Sequence, residues 1–164
     1  MTIKAKSSTP HDVALRMRVF DASLDLLDHA VAESFGISRT DLRAMELISR
    51  VGPASCGELA IALGLTTGSV TALTDRMERA GFLHRTRTAG DRRKVLVALT
   101  AMGRERERRA FEPLQREMMQ TLSRYSPTEL GLIAQFLDTA RSVSDRARTR
   151  ILSPARGPAK RGEA

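Results

Sequence analysis

The residues of this chain that could do chemistry are mostly cationic. From Arg76 to Lys94, seven Lys or Arg side chains face two acids, Glu78 and Asp91, a local balance of +5 within a formal total of +8. Five of them, Arg85, Arg87, Arg92, Arg93 and Lys94, crowd the stretch RTRTAGDRRK. Guanidinium groups at this density suit phosphate oxygens, which accept two parallel N–H bonds from one Arg. Just upstream, TTGSVTALTDR supplies the hydroxyls of Thr66, Thr67, Ser69 and Thr71, with Gly68 and Ala72 between them. Short hydroxyls near a helix start donate to phosphates or base edges, and the helix N-terminus itself favours anions. The two small residues leave room for close approach. The chemistry these residues fit is polyanion binding.

Other chemistries find little support. No nucleophile–base pattern and no glycine-rich phosphate loop is present, which argues against an enzyme. A single cysteine, Cys56, excludes an internal disulfide and fits a reducing cytoplasm. One Cys and the scattered His11, His29 and His84 assemble no metal site, and no cofactor is expected. Aromatic residues make up 4% of the chain and Trp is absent, so stacking on bases is not the main mode of binding.

The elements that must position these groups follow from local signals. Ser55 and Glu58 form a capping box that opens a short helix with Leu59, Ala60 and Leu63 inward, and Gly64 ends it. Thr66 caps the next helix, whose expected buried face is Val70, Leu73, Met77 and Ala80. Two short helices joined by a tight glycine turn make a helix-turn-helix. FLHRTRT and KVLVALT then flank the loop AGDRR, with Val95, Val97 and Leu99 alternating as a strand with one buried face. A helix-turn-helix followed by a charged hairpin is a winged helix. Its second helix presents a polar face to the major groove, and the hairpin tip reaches the adjoining backbone or minor groove. In this reading Arg92 or Arg93 contacts phosphate or the minor groove, Asp91 holds an Arg in place, and Ser69, Thr71 and Arg76 face the groove.

Long helices bracket this module. Val13, Met17, Phe20, Leu24, Leu27 and Val31 recur at alternating spacings of four and three, a heptad-like stripe over roughly residues 11–35. Such a stripe is too long and apolar to face water on a monomer, so a homodimer is expected. Ser38 and Asp41 start a second helix carrying Leu42, Met45 and Ile48 inward. Thr100 caps a helix over about residues 101–123, where Pro113 should produce a kink. Ser126, Pro127 and Glu129 start the last helix, with Leu130, Ile133 and Leu137 on its apolar side. The expected fold is mainly α with a small β wing. Its divisions are a flexible tail (1–10), a dimerisation helix (11–36), the winged helix-turn-helix (37–100), a long helix with a C-terminal dimerisation helix (101–151), and a second tail (152–164).

The pI of about 10.9 points to nucleic acid first and an anionic membrane surface second. No segment has the ~20 apolar residues of a membrane span and no signal peptide is evident, so a cytoplasmic protein without a membrane partner is expected.

The segment GELAIALGLTTGSVTALTDRMERAGFLHRTRTAGDRRKVLVALTAMGRE resembles the DNA-binding core of the MarR family, the multiple-antibiotic-resistance regulators. The likeness is carried by Leu59-Ala60, Val70-Thr71, Asp75-Arg76-Met77, Ala80-Gly81, the triplet Asp91-Arg92-Arg93, and Leu99-Thr100 with Gly103. It implies a homodimer whose terminal helices interlock, and a repressor on a pseudo-palindromic double-stranded DNA operator. It also implies release by a small aromatic or phenolic effector, for which His29, Met45 and Phe111 are candidate lining residues. Family peroxide sensors carry a reactive cysteine near the start of the first long helix. None stands there, and Cys56 is expected to pack rather than sense. A sequence-indifferent architectural DNA binder is the competing reading.

Overall fold

The computed structural model describes residues 8–88 and 91–153, with side chains described except at Thr88 and Asp91–Lys94. Six helices and a two-stranded antiparallel sheet follow in the order α1 (Pro10–Phe35), α2 (Arg39–Val51), α3 (Cys56–Leu63), α4 (Thr67–Arg79), β1 (Leu83–Thr88), β2 (Asp91–Leu99), α5 (Ala101–Leu122) and α6 (Pro127–Leu152). This is the winged helix architecture. The chain divides into two compact units, residues 5–117 and a second formed mainly by residues 118–164. The expected tails lie largely outside the described residues.

Side-chain oxygens set most of the helix starts. Ser38/Asp41, Ser55/Glu58 and Ser126/Glu129 each close a reciprocal capping box. A fourth box, Thr9 with Asp12, starts α1 at Pro10, inside the stretch expected as a tail. The turn between α3 and α4 depends on Gly64, whose φ of 68° is a left-handed conformation that side chains with a Cβ resist.

The core of the first unit gathers Ala44, Met45 and Ile48 of α2, Leu59 and Ala60 of α3, and Val70, Leu73 and Met77 of α4 against Phe82, Leu83, Val97 and Leu99. Each fully buried Leu or Met contributes about 1.5–3 kcal/mol relative to exposure. Thr74 completes the buried face of α4, its hydroxyl donating to the Val70 carbonyl at 2.8 Å. Ala80, expected inward, is exposed because α4 ends at Arg79 and the chain turns there. A smaller cluster joins Val31 and Ala32 of α1 to Leu42, with Leu27 and Phe111 packed on it.

The wing departs from the expected hairpin in two ways. Val97, Ala98 and Leu99 are all buried, so its base is covered on both faces. Its outer edge is paired as well: Ala54 exchanges two backbone bonds with Val97 (3.1 and 2.8 Å) as a third, one-residue strand. β2 also begins at Asp91, within the stretch expected as loop; Arg87 pairs with Val95 and Thr88 with Asp91, with a register irregularity between them.

α5 stays helical through Pro113. Its first turn lies so close to β1 that a Cβ on Gly103 would overlap the Phe82 carbonyl oxygen. In the second unit α6 has no buried residue, and Leu132, Phe136, Leu137 and Val143 are exposed. Among the described residues no single helix is long and apolar enough to cross a membrane.

Candidate nucleic-acid interface

α4 turns Thr67, Gly68, Ser69, Thr71, Ala72, Asp75, Arg76 and Arg79 to the exterior, with Thr66 exposed at its cap. The first turn contains no acid. Where the boxed helices carry a carboxylate at the third position, α4 carries Ser69, whose N–H donates to Thr66 Oγ1 at 3.2 Å. The partial positive charge of this helix end is therefore not offset by a carboxylate in its first turn. Thr66 and Ser69 share a hydroxyl–hydroxyl bond of 2.8 Å, and Thr71 Oγ1 donates to the Thr67 carbonyl at 3.0 Å. Each hydroxyl keeps lone pairs for an incoming donor, and no partner for the Thr67 hydroxyl is found among the described residues.

Two arginines expected at the DNA are engaged inside the protein. Arg76 donates through Nη2 to Asp41 Oδ1 at 2.5 Å and through Nε to Asp41 Oδ2 at 3.2 Å. Arg85 bridges Asp75, at 2.5 Å, and Glu78, whose carboxylate also accepts the Arg85 backbone N–H at 3.0 Å. Both guanidinium pKa values are raised, first by these hydrogen bonds to carboxylates. α4 is thus tied to α2 on one flank and to β1 on the other. Sequence spacing registers exposure and not partners, which for Arg76 stand 35 residues away and for Arg85 on the preceding helix.

Arg87 is exposed on β1. Asp91, Arg92 and Arg93 have their backbone in β2, and their side chains lie outside the described residues. Arg79, absent from the sequence-based set, is exposed at the end of α4 and directs only Nε to the Asp75 carbonyl, at 3.3 Å. The helical steps of four, four and three residues from Gly68 through Ala72 and Arg76 to Arg79 are the signal that marks it.

The base of the wing is fixed by Thr100. Its hydroxyl donates to the Gly81 carbonyl at 2.6 Å and accepts from Gly103 N at 2.9 Å, while its own N–H donates to the Phe82 carbonyl at 2.9 Å.

The three residues expected to line an effector pocket are not brought together. Met45 is fully buried in the main core, Phe111 packs on the smaller cluster, and His29 is exposed. A shallow, open depression of about 350 Å³ lies against Ser34, Phe35, Arg106, Arg109 and Ala110. Beside it Phe35 stacks on Phe82 with centroids 5.9 Å apart, and the Arg106 guanidinium lies over both rings at 6.0 and 5.3 Å. Cys56 is half-buried at the start of α3 and packs on the core. Among the described residues no group of three His, Cys, Asp or Glu is placed to hold a metal ion.

Known proteins are similar to this chain in sequence and arrangement. Residues 37–95 match the family model described as MarR family. The uncharacterized HTH-type transcriptional regulator YcgE of Bacillus subtilis (strain 168) is 34% identical over 126 residues, covering 77% of this chain and 82% of that protein. The transcriptional regulator Tm0710 of Thermotoga maritima superposes with a TM-score of 0.57 at 26% identity, over 87% of this chain and 99% of that one. FabT of Streptococcus pneumoniae, solved in complex with DNA, shares the fold with a TM-score of 0.61 at 20% identity, over 82% of this chain and 99% of that one. The chain therefore belongs to the MarR family of DNA-binding, helix-turn-helix transcriptional regulators.

Proposed function

We propose that the chain acts in the cytoplasm as a homodimeric, sequence-specific regulator, a repressor that leaves a pseudo-palindromic operator when a small effector binds. The observation that carries the reading is the outer face of α4: an N-terminus free of acids, a row of hydroxyls with Gly68 and Ala72, and a basic hairpin beside it. Residues 37–100 are the DNA-binding part in this reading, with residues 11–36 and 101–151 serving dimerisation.

Ser69 and Thr71 read base edges, while Arg87, Arg92 and Arg93 contact phosphate or the minor groove, with Asp91 orienting an arginine. Dimerisation is supported by the apolar surface of α1, where Val13, Met17, Phe20 and Leu24 are exposed together with Leu15, Val19 and Leu26. Leu27, expected in the same interface, is half-buried and also packs on the small core of its own unit. On α6, Leu137 is exposed, and Leu130 and Ile133 are half-buried. For the effector, Phe35 with Arg106 and Arg109 suits a small aromatic carboxylate better than the three residues first considered.

Binding titrations of Arg92→Ala, Arg93→Ala and Ser69→Ala on selected and random duplexes at several salt concentrations test the reading. Loss of a phosphate contact weakens both duplexes and lowers the salt slope by about one. Loss of Ser69 erodes discrimination by about 1–3 kcal/mol. A sequence-indifferent binder would show no preference of about 10³-fold for any selected duplex.

A further inference from the structure

Asp41 is the buried carboxylate of this fold: among the described residues no other Asp or Glu falls in the buried class, and it is 1% exposed. Its two oxygens do two jobs. Oδ2 accepts the Ser38 N–H at 3.0 Å, closing the cap of α2, and both oxygens receive Arg76 from α4. A buried carboxylate is costly without such partners, and this one is held from both sides.

The apolar face of α4 cannot supply the same constraint. Val70, Leu73 and Met77 anchor the helix by non-directional contacts, which tolerate a small rotation or slide along its axis. A two-point bond between a guanidinium edge and both oxygens of a fixed carboxylate does not. The bond engages Nε and Nη2, leaving only the outer N–H groups of Arg76 for any contact with DNA. Arg85 braces the opposite flank through Asp75 and Glu78.

We infer that Asp41, through Arg76, is a positioning residue for sequence reading, fixing the pose in which α4 presents Thr67, Ser69 and Thr71 to DNA. This rests on the proposed role of α4 as the reading helix. Asp41 also lies on the first turn of α2, where the neighbouring Arg39 pairs with Asp25 of α1. The pose of the reading helix is therefore referenced to the end of α2 that α1 holds.

The test uses a duplex enriched by the unaltered full-length protein from a random-sequence library, compared with an unselected duplex. Asp41→Asn, Arg76→Gln and the double variant are titrated on both at several salt concentrations. Asn keeps the size and the Ser38 cap, and Arg76 is half exposed, so Arg76→Gln leaves no buried void. A positioning role predicts that each single variant lowers the selected-to-random ratio by about tenfold, with the double variant no worse than either single. The salt slope on the unselected duplex stays unchanged. A mere loss of folded protein would lower both affinities equally and leave the ratio intact.

The inference is overturned if the ratio survives in both single variants. It is also overturned if Arg76→Gln weakens both duplexes and lowers the slope by about one while Asp41→Asn binds as tightly as the unaltered protein, which marks Arg76 as a direct phosphate contact. If the unaltered protein enriches no sequence at all, it is the sequence-specific reading that falls.

Discussion

Replacing Gly103 by Ala should destabilise the first unit, although alanine is the better helix former. A Cβ at this position would overlap the Phe82 carbonyl oxygen and lie 3.2 Å from the Phe82 carbonyl carbon and 3.3 Å from Leu99 Cδ2. Two of these three atoms are backbone, so relief requires the first turn of α5 to move away from β1. Overpacking of this kind costs about 1–3 kcal/mol. The same movement stretches the bonds from Thr100 N to the Phe82 carbonyl and from Gly103 N to Thr100 Oγ1, both 2.9 Å, each contributing about 1 kcal/mol. Against this stands a helix-propensity gain of about 1 kcal/mol. The net is a loss of about 2–4 kcal/mol, or a fall in Tm of roughly 5–15 °C for a chain of this length. Thermal melts by circular dichroism at matched protein concentration measure it, since dimer formation makes Tm concentration-dependent. Gly131→Ala is the control: it lies on α6 with nothing within 4 Å of a new Cβ, and should gain about 0.5–1 kcal/mol. A Gly103→Ala protein melting at or above the unaltered temperature would refute the close-approach argument.

Three further outcomes are expected. Gly68→Ala meets no atom within 4 Å and should stabilise the fold by about 0.5–1 kcal/mol. It should nonetheless weaken binding to a selected duplex by about tenfold, 1.4 kcal/mol, because the backbone can no longer approach as closely; melts and titrations on one preparation separate the two effects. Leu24→Asp should convert the dimer to monomer or unfold it, read by sedimentation, and a stable folded monomer of the unaltered protein at micromolar concentration would contradict the proposed dimer. Burial, then the nearby charges of Asp28 and Glu107, raise the pKa of Glu46 above its ordinary 4.5, with Arg43 and Arg50 opposing. A raised carboxylate pKa means the folded state binds the proton more tightly, so this group destabilises the fold above its folded pKa and ceases to do so as pH falls through it. Glu46→Gln should therefore raise Tm at pH 7, with the advantage shrinking toward pH 4. The capping carboxylates Asp12 and Glu129 run oppositely: hydrogen bonds from Thr9 and Ser126 lower their pKa values, so their contribution is lost as pH falls through the folded values.

Much of the fold was legible because its signals are local. A Ser or Thr followed three residues later by Asp or Glu satisfies helix N–H groups whatever the rest of the chain does, and a glycine ends a helix through its own φ. The starts of α2, α3 and α6, that of α4 at the lone Thr66 cap, the helix-turn-helix and the basic character of the wing needed nothing beyond such local signals. Composition likewise showed that the chemistry is cationic. What tertiary structure decided is where each cation is directed and which apolar residues are enclosed. Arg76 and Arg85 are groove-side residues by spacing, and folding also brings carboxylates on α2 and α4 within hydrogen-bond distance of them, which no local pattern registers. Met45 and Phe111 have residue types that suit a pocket, yet packing assigns them to two separate clusters. The free edge of β2 is closed because Ala54, more than forty residues away, comes back to pair with Val97, and core side chains of α2, α3 and α4 enclose Val97 and Leu99. Periodicity reports which side of an element is apolar; only the assembled chain decides what that side meets.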